Sequence, residues 1–465
     1  MRRRMRMAAL GLAALMAATS VAGCSAGGNA ESAPGEAKDN ASGEKTKITV
    51  WTVNRHDSTY MNQVVEEFNK TNPDIEIEYV IQTENYENLL SMAANSGQSP
   101  DVFTAVRPNY MKNFAEGGIA QPINQYITDE YRKINEVDSH IYEGYNAFGE
   151  DIYFVPCGKR SGARLIYNKE IFDGLGLTVP EKLEDLPAVV KQITEAGNGD
   201  YYGIIFPGAS SPFERWIEHA AEKSGVTPYD YKNGKFDFTG FKPIIEIIRQ
   251  MFEEDSVFPG SSSIKIDPAR VQFSEGHAGI HGNASQEAAV LTDQFPAQME
   301  WGVADLPTLG GEIKGAQLCT PNNGYMMSGS TKHPEEAWKV IEYFGSEEVL
   351  KGYLEAGYTL PLSDYMDSKV DKSKIGRMAD FSGADYEAVY PMFPSVTPEG
   401  EAYRDALWNA CLPGGPSIDE TIASLNKSYN AALDQEVSMG KTKRLVISDY
   451  DPLHPNEGTP QYLDK

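Results

Sequence analysis

The sequence has few of the residues that build covalent or metal-held frameworks. Only four cysteines and seven histidines occur in 465 residues, and no two cysteines form a Cys-x-x-Cys pair. Besides Cys24 the chain has Cys157, Cys319 and Cys411, an odd and widely spaced set that is unlike a disulfide framework. No HExxH sequence or Cys/His cluster with metal-site spacing is present. We therefore expect neither a metal ion nor another cofactor.

Basic residues are scarce relative to acidic ones. Lysine and arginine total 41, aspartate and glutamate total 67, and the formal net charge is −26. Such a chain is repelled by nucleic-acid phosphates and by anionic lipid surfaces, so we expect neither as a partner. The 41% of hydrophobic residues is enough for a large core, and the length corresponds to two or three domains.

A long apolar run occurs only at the N-terminus. The basic stretch MRRRMRM precedes AALGLAALMAATSVA, so residues 1–23 have the pattern of a signal peptide rather than of a transmembrane helix. The residues Val21, Ala22 and Gly23 before Cys24 resemble the bacterial lipobox, which implies cleavage before the cysteine and a diacylglyceryl group with palmitate on it. The alternative is an ordinary signal peptide with an incidental cysteine. Loss of the four signal arginines takes the net charge from −26 to −30.

Residues 24–45 contain no aromatic and no large aliphatic side chain. Such a segment cannot bury enough apolar surface to offset its conformational entropy, so we predict a flexible tether. With a lipid at Cys24, this tether would hold an extracytoplasmic protein on the outer side of the bacterial cell membrane.

After the tether, strand and helix patterns alternate. KITVWT and IEIEYVI have the pattern of strands, and the helix between them carries Met61, Val64, Val65 and Phe68 at helical spacing. The alternation restarts at ARLIYN. These patterns predict the α/β class with two lobes, each a mostly parallel sheet flanked by helices.

Four stretches, in order, resemble one protein family. ITVWTVNRHDSTYMNQVVEEFNKTNPDIEIEY resembles its opening strand and helix, and SGQSPDVFTA resembles its Gly-x-x-Pro-Asp segment. DIYFVPCGKRSGARLIYNKEIFDGLGL resembles its crossing segment, and WGVADLPTLGG with STKHPEEAWKVIEYFGSEE resembles its closing part. On these stretches residues 46–440 are similar to the extracellular solute-binding proteins of carbohydrate ABC importers, the maltose-binding-like family 1.

The resemblance implies the two-lobe periplasmic-binding-protein (Venus flytrap) fold, in which hinged lobes close on a solute. It implies a first lobe of residues 46–157 plus 320–367 and a second lobe of residues 158–319 plus 368–440. Residues 441–465 contain three prolines and few apolar side chains, so we expect an extended C-terminal tail there.

The resemblance also implies a function. Family members bind solutes without catalysis, so we expect a monomeric receptor that delivers a sugar or oligosaccharide to the permease subunits of an ABC importer. Two alternatives stay open: a receptor for a non-sugar or acidic solute, such as a uronate or a metal complex, and a secreted glycosidase. A glycosidase needs two carboxylates at fixed separation, which inspection of 67 acidic residues does not exclude. His277 and His281 would lie about 13 Å apart on a strand, too far for one metal ion.

Candidate ligand contacts come from the loops after the first and third strands, where parallel sheets bind ligands, and from family-matched positions further along. The early loops contribute Asn54, Arg55, His56, Asp57, Arg107, Asn109 and Tyr110. The later positions are Lys159, Arg160, Ser161, Phe213, Trp216, Asn283, Asn322, Asn323, Tyr358 and Tyr403. The competing interpretation is a solvated turn for the polar residues and core packing for the rings.

Two positions bear on the kind of ligand. Asn283 stands where the family has a Gly-Pro-Trp loop, so the usual stacking tryptophan is missing; we expect an amide contact rather than a long stacked oligosaccharide. Lys159 and Arg160 stand where the family usually has an acidic or hydroxyl residue. They can donate to the hydroxyls of a neutral sugar, which the family favours, or pair with a carboxylate, sulfate or phosphate.

Overall fold

Short strands alternate with helices along the described part of the chain. The structure is a computed structural model, and it describes residues 45–383 and 385–464. The predicted signal peptide, the predicted lipidation site Cys24 and the tether up to residue 44 lie outside the described residues. The described residues form one compact unit.

The strands are numbered along the chain. They are β1 (Thr46–Thr52), β2 (Ile75–Ile81), β3 (Val102–Thr104), β4 (Ala120–Gln121), β5 (Ala147–Phe148), β6 (Asp151–Ile152), β7 (Gly158–Arg160), β8 (Arg164–Asn168), β9 (Tyr202–Ile205), β10 (Tyr229–Asp230), β11 (Lys235–Phe236), β12 (Ala278–Asn283), β13 (Trp301–Ala304), β14 (Gln317–Leu318), β15 (Thr320–Asn322), β16 (Tyr325–Ser328), β17 (Glu387–Ala388), β18 (Arg444–Val446) and β19 (Gln461–Leu463).

The helices are numbered in the same way. They are α1 (Ser58–Thr71), α2 (Tyr86–Ser96), α3 (Pro108–Glu116), α4 (Asp129–Ile134), α5 (Lys169–Leu175), α6 (Leu186–Gly197), α7 (Glu218–Lys223), α8 (Lys242–Glu253), α9 (Ile266–Ser274), α10 (Glu287–Ala289), α11 (Pro334–Phe344), α12 (Glu347–Glu355), α13 (Asp364–Asp367), α14 (Tyr403–Cys411) and α15 (Ile418–Ser438). Wider π-helical turns, Phe213–Ile217 and Val290–Gln294, adjoin α7 and α10. Along residues 45–383 and 385–464, no helix combines the length and the apolar character needed to cross a bilayer.

The first sheet has the strand order β2-β1-β3-β16-β4. β1 runs parallel to β2 and β3, and β16 runs antiparallel to β3 and β4, so four of the five strands point the same way. Ile48 and Val50 of β1 pack in one core with Met61 and Phe68 of α1, the buried face that the helical spacing predicted. Burial of each such side chain stabilises the fold by about 1.5–3 kcal/mol. We call this sheet and its helices the first lobe.

The second sheet has the strand order β13-β8-β12-β9, and only β8 runs against the other three strands. Its core is rich in rings such as Phe206 and Phe238, and it takes Leu407 from α14 and Leu433 from α15 near the C-terminus. We call this sheet and its helices the second lobe. The α/β class is as predicted, but both sheets are mixed rather than mostly parallel. Two of the four strand pairings in the first sheet and one of the three in the second are parallel, because β16 and β8 run against their neighbours. The exact limits of the lobes stay a prediction.

Three segments cross between the lobes side by side. β7 pairs antiparallel with β15, and Lys159 of β7 also exchanges backbone hydrogen bonds of 2.9 and 3.1 Å with Leu360. Since each crossing segment is only a few residues long, the lobes can move relative to each other while both sheets stay intact.

The tail after residue 440 has more structure than the expected extended chain. β18 and β19 pair antiparallel, and both Leu445 and Ile447 are buried. Tyr229 Oη donates a hydrogen bond to Leu445 O, and Ile447 N–H donates one to Tyr231 O, each at 2.8 Å. The sparse apolar residues of the tail are enough because the second lobe supplies the surface that covers them.

Candidate functional site

The loops that follow β1 and β3 meet at one edge of the first sheet. Val53 N–H donates to Thr104 Oγ1 (3.2 Å), and Ala105 N–H donates to Gly324 O (2.9 Å). Gly324 precedes β16, whose amino end lies at this edge because the strand runs antiparallel to β3. This edge, next to the crossing segments, is the first-lobe side of the candidate site.

The first loop exposes two side chains and buries a third. Arg55 and His56 are exposed, whereas Asn54 is half-buried. Asp57 is completely buried, and its Oδ2 accepts a hydrogen bond from Tyr353 Oη of α12 at 2.7 Å. The predicted direct contact of Asp57 with a solute is therefore not open in this structure. Its carboxylate holds the loop against α12 instead.

Polar groups surround the buried carboxylate. Asp57 Oδ1 and the hydroxyls of Tyr79 and Tyr325 are buried without a hydrogen-bond partner among the described residues. Burial raises the pKa of Tyr79 to about 12, and the negative charge of Asp57 acts in the same direction. Burial also raises the pKa of Tyr325, so both phenols stay neutral at physiological pH.

Rings line the first-lobe side of the site. The ring of Tyr358 lies 6.1 Å from that of His56 in an edge-to-face arrangement, 6.1 Å from Tyr60 and 5.1 Å from Tyr353. His56 is exposed and Tyr358 is half-buried. Aromatic faces of this kind pack against the apolar C–H faces of small molecules, so the group offers a stacking surface.

Arg107, in the loop after β3, is held by a forked ion pair. Its Nε and Nη2 donate to Glu87 Oε1 and Oε2 at 2.7 and 3.1 Å, and its guanidinium lies 5.3 Å from the centre of the half-buried Tyr110 ring. This two-point contact fixes the orientation of the exposed arginine. The predicted contact Asn109 lies in the first turn of α3, and its side chain is outside the described residues.

The corresponding edge of the second sheet lies at the carboxyl ends of β9 and β12. Arg164 at the start of β8 is paired with Asn283 at the end of β12. The neighbouring Gly282 touches the indole of Trp216, since a Cβ at Gly282 would stand 2.4 Å from Trp216 Cδ1. Residues 206–216 and 283–287 therefore meet at this edge.

Asn283 is not free to contact a solute. Its Nδ2 donates to Glu287 Oε1 (2.7 Å), and its Oδ1 accepts from Ala284 N–H (3.0 Å) and from Gln286 Nε2 (2.9 Å). Glu287 is completely buried and also accepts from Arg270 Nε at 3.1 Å. The expected amide contact is wrong because the amide is used inside this buried network.

We call the region between the loop-bearing edges of the two sheets, beside the crossing segments, the cleft. His56 of the first lobe and Arg160 at the end of β7 are both open to solvent, yet protein atoms crowd around them. This crowding lowers the pKa of both groups. The charge of Asp57 opposes the shift at His56, and the positive charge of Arg160 adds to it, so His56 and Arg160 lie within electrostatic range of each other.

Three of the predicted ring contacts lie in the second-lobe core. Phe213 is completely buried, and Trp216 stacks on Phe206 with ring centres 5.7 Å apart. Tyr403 is buried in α14, where its Oη forms a short hydrogen bond with Glu218. The expectation that these rings are open to a sugar is wrong, because the core of the second lobe covers them.

Asn322 and Asn323 form hydrogen bonds that hold the crossing segments together. Asn322 Oδ1 accepts a hydrogen bond from Thr359 Oγ1 at 2.8 Å, which joins β15 to the third crossing segment. Asn323 adopts the left-handed conformation (φ 55°), and its carbonyl accepts from Cys157 N–H at 3.3 Å. Both side chains are half-buried, so a role in ligand contact stays a prediction for them.

The remaining predicted contacts differ in their surroundings. Lys159 is half-buried, and its Nζ and Glu387 Oε2 both lie beside Gly383, so its ammonium has a carboxylate nearby. Ser161 is buried, and its Oγ has no hydrogen-bond partner among the described residues.

Sequence reasoning missed Tyr353, Glu87 and Arg215. Tyr353 is 296 residues from Asp57, and Glu87 is 20 residues from Arg107, so no local pattern links either pair. Arg215 was within reach, because it stands in the FERW stretch whose rings were chosen instead. A search of that stretch for hydrogen-bond donors would have found it.

The described residues bring no three metal-ligating side chains together. His281 is buried on β12 with its Nε2 3.7 Å from Glu287 Oε2, whereas His277 is half-exposed and lies near Glu275. His277 and His281 therefore have different surroundings.

Comparison with known proteins gives the family. Residues 52–351 match the model of the bacterial extracellular solute-binding proteins. The chain is 26% identical to the maltotriose-binding protein of Pyrococcus abyssi (strain GE5 / Orsay), over 69% of this chain and 68% of the relative. It is 24% identical to lipoprotein LipO of Bacillus subtilis (strain 168), over 97% of this chain and 86% of the relative.

A solved structure shows the same fold. The maltose/maltodextrin-binding domain MalE of Bdellovibrio bacteriovorus, bound to maltotriose, aligns with a TM-score of 0.60 at 20% identity, over 84% of this chain and 100% of that chain. This likeness agrees with the two-lobe α/β architecture described above. The family model covers more than half of the chain, and the protein therefore belongs to the bacterial extracellular solute-binding proteins.

Proposed function

We propose that this protein is a monomeric receptor that captures a sugar or oligosaccharide between its lobes and delivers it to the permease subunits of an ABC importer. The observation that carries the proposal is that the loop-bearing edges of both sheets lie beside the three crossing segments, on either side of the cleft. One relative is named a maltotriose-binding protein, and one solved neighbour holds maltotriose, which supports a sugar as the solute.

The side chains at the cleft suit the two surfaces of a sugar. The rings of Tyr358 and His56 offer a stacking surface for its apolar C–H face. Arg55 and Arg160 are exposed donors for the hydroxyl edge, and Arg107, whose Nε and Nη2 are held by Glu87, has Nη1 left for it. A solute that touches both lobes stabilises their closed arrangement by its greater affinity for that state.

Calorimetry with a panel of mono- and oligosaccharides tests this function. We expect one sugar to bind with a 1:1 ratio and to lower the radius of gyration in small-angle scattering of a monomer. Tyr358→Ala should weaken binding, whereas Tyr365→Ala, which removes a similarly half-buried ring from α13, should not. Absence of binding across the panel, or turnover of aryl glycosides, would contradict the proposal.

We also propose that a lipid on Cys24 anchors the mature protein to the outer side of the cell membrane. The lipobox-like junction supports this, as does the relative named a lipoprotein. Cys24→Ser should move the protein from the membrane fraction to the soluble fraction, and the control Cys319→Ser should not. Unchanged membrane retention of the Cys24→Ser protein, with no lipid on its N-terminus, would contradict the anchor.

A further inference from the structure

Arg160 is a cation without a counter-charge. It is the last residue of β7, and its side chain is exposed inside the cleft. Along residues 45–383 and 385–464 its guanidinium takes part in no hydrogen bond and no ion pair. Its neighbour Lys159 differs, because the ammonium of that residue has Glu387 nearby. A guanidinium has five N–H donors, so Arg160 offers all of them to a ligand.

Arg215 of the second lobe is a second arginine with donors to spare. Its side chain is half-buried, and only Nε has a partner, the carbonyl of Ser210 at 2.7 Å. It forms no ion pair in the described part of the chain. Two carboxylates lie near it: Glu214 is exposed, and the oxygens of Glu287 are already taken by Arg270 and Asn283.

The fold brings these two arginines to the same edge of the second sheet. Arg160 stands four residues before Arg164, which is paired with Asn283 at the end of β12. Arg215 directly precedes Trp216, whose indole touches Gly282 of the same strand. Burial lowers the pKa of Arg215, and the positive charges of Arg270 and Arg160 lower it further, which agrees with this proximity.

Ser161, next to Arg160 in the chain, offers a further polar group at this edge. Its Oγ is buried and has no hydrogen-bond partner among the described residues, and a hydroxyl can donate or accept. Gln286 Oε1 is a buried acceptor that also has no hydrogen-bond partner among the described residues, and it can accept a hydrogen bond from a sugar hydroxyl. Within the part of the chain that the structure describes, the free N–H groups of Arg160 and Arg215 outnumber the free acceptors Gln286 Oε1 and Ser161 Oγ, so these donors favour a ligand that supplies acceptor oxygens.

We propose that the sugar bound by this protein carries an anionic group, a carboxylate or a sulfate, which Arg160 and Arg215 hold at the second-lobe edge of the cleft. The proposal rests on the sugar-receptor function and names the class of its substrate: a uronate-containing or sulfated oligosaccharide.

Closure of the lobes gives the physical reason. Closing on a neutral sugar would remove water from both guanidiniums, which is unfavourable. Among the residues that the structure describes, Arg160 has no carboxylate partner, and Arg215 has only the nearby charges of Glu214 and Glu287 without an ion pair. An anionic group supplies the counter-charge, and its planar oxygens fit the forked donors of arginine in two-point contacts. The net charge of −26 makes an unpaired pair of cations unusual for this chain.

Matched sugar pairs test the proposal by calorimetry at low and high salt. The pairs are digalacturonate with galactobiose, and a sulfated with an unsulfated glycosaminoglycan disaccharide. We expect the acidic member of at least one pair to bind at least tenfold more tightly, and its affinity to fall with added salt. Arg160→Gln and Arg215→Gln should each weaken binding of the acidic sugar by about 10- to 100-fold and should weaken binding of the neutral sugar much less.

Two controls separate this effect from a loss of structure or of overall charge. Lys191→Gln removes a cation of the second lobe that pairs with Glu254 at 3.6 Å outside the cleft, and it should leave both affinities unchanged. Arg160→Lys keeps the positive charge but lacks the planar guanidinium that makes two-point contacts, so this variant should bind the acidic sugar with intermediate affinity. The Arg160 variants should unfold at the temperature of the wild type, since the guanidinium of Arg160 forms no hydrogen bond or ion pair with the described residues. Arg215→Gln should also do so, because the glutamine Nε2 can replace Arg215 Nε as the donor to Ser210 O.

The outcomes are distinct. If sugars bind but acidic members show no advantage, or both arginine variants weaken both members equally, the anionic-ligand proposal fails and the sugar-receptor function stands. If no sugar of either kind binds, the receptor function fails and this proposal fails with it.

Discussion

Tyr353 donates a hydrogen bond of 2.7 Å to the buried carboxylate of Asp57, across 296 residues of sequence. This bond joins α12 to the loop after β1, which carries the exposed His56. The position of the first-lobe loop at the cleft therefore depends on a helix from a distant part of the chain.

Tyr353→Phe should lower the free energy of unfolding by about 1–3 kcal/mol, because it leaves a buried carboxylate oxygen without its donor. Urea titration measures the loss. The matched control is Tyr60→Phe, whose hydroxyl donates to the backbone carbonyl of Val349 at 2.7 Å, and it should cost less. A loss in Tyr353→Phe that is no greater than in Tyr60→Phe would contradict this account of the loop.

His56 should titrate below the ordinary histidine range in the free protein. Crowding lowers its pKa, and the charge of Arg160 acts in the same direction, against the effect of Asp57. Arg160→Gln removes a positive charge, so it should raise the pKa of His56, and an anionic ligand should raise it as well. Titration of the ring resonances by NMR measures both shifts, with Lys191→Gln as the control. A pKa of His56 that stays the same in Arg160→Gln would show that the two groups do not lie within electrostatic range of each other.

The contact between Gly282 and Trp216 predicts the effect of one added methyl group. Since a Cβ at Gly282 would stand 2.4 Å from Trp216 Cδ1, Gly282→Ala should displace the indole and destabilise the protein by about 1–3 kcal/mol. It should also change the tryptophan emission. Gly174→Ala in α5 adds a methyl group with nothing within 4 Å and should not destabilise. Equal stability of the two variants would contradict this packing.

A buried ion pair joins β8 to β17. Arg164 Nη2 lies 2.6 Å from Glu387 Oε1, and both side chains are almost inaccessible to solvent. Glu387→Ala leaves the guanidinium buried with only part of its charge compensated, so it should cost about 3–5 kcal/mol of unfolding free energy. The control Glu66→Ala breaks the exposed pair with Lys70 and should have no measurable effect. A small loss in Glu387→Ala would mean that water or Asp305 compensates the arginine.

Local patterns in the sequence were enough for much of the architecture. The spacing of Met61 and Phe68 predicted the buried face of α1, and the alternation of IEIEYVI predicted β2. The order of four family-like stretches predicted the two-lobe fold and the family, which the match over residues 52–351 shows. The buried face of α1 and the strand β2 follow from hydrophobic periodicity, which each segment carries by itself, whereas the family follows from the resemblance of the four stretches.

The first-lobe loops were also found from the sequence, because ligands bind parallel sheets at the carboxyl ends of the strands. The surroundings of individual side chains were not. Asp57 and Asn283 stand in polar loops, yet Tyr353 bonds the carboxylate of Asp57, and Glu287 and Gln286 bond the amide of Asn283. A polar residue in a loop has the same sequence pattern whether its partner is a solute or a buried side chain.

The sequence by itself thus determined the longer strands and helices, the fold class and the loops at the edge of the first sheet, whereas short strands such as β18 and β19 were not predicted. Only the tertiary structure decided which side chains stay open. The core of the second lobe covers Phe213 and Tyr403. Arg160 and Arg215 are 55 residues apart in the sequence, yet both lie near one edge of the second sheet with N–H donors that have no partner among the described residues. The reason is physical: periodicity arises from neighbours along the chain, whereas burial and charge pairing arise from contacts that form only when distant segments pack.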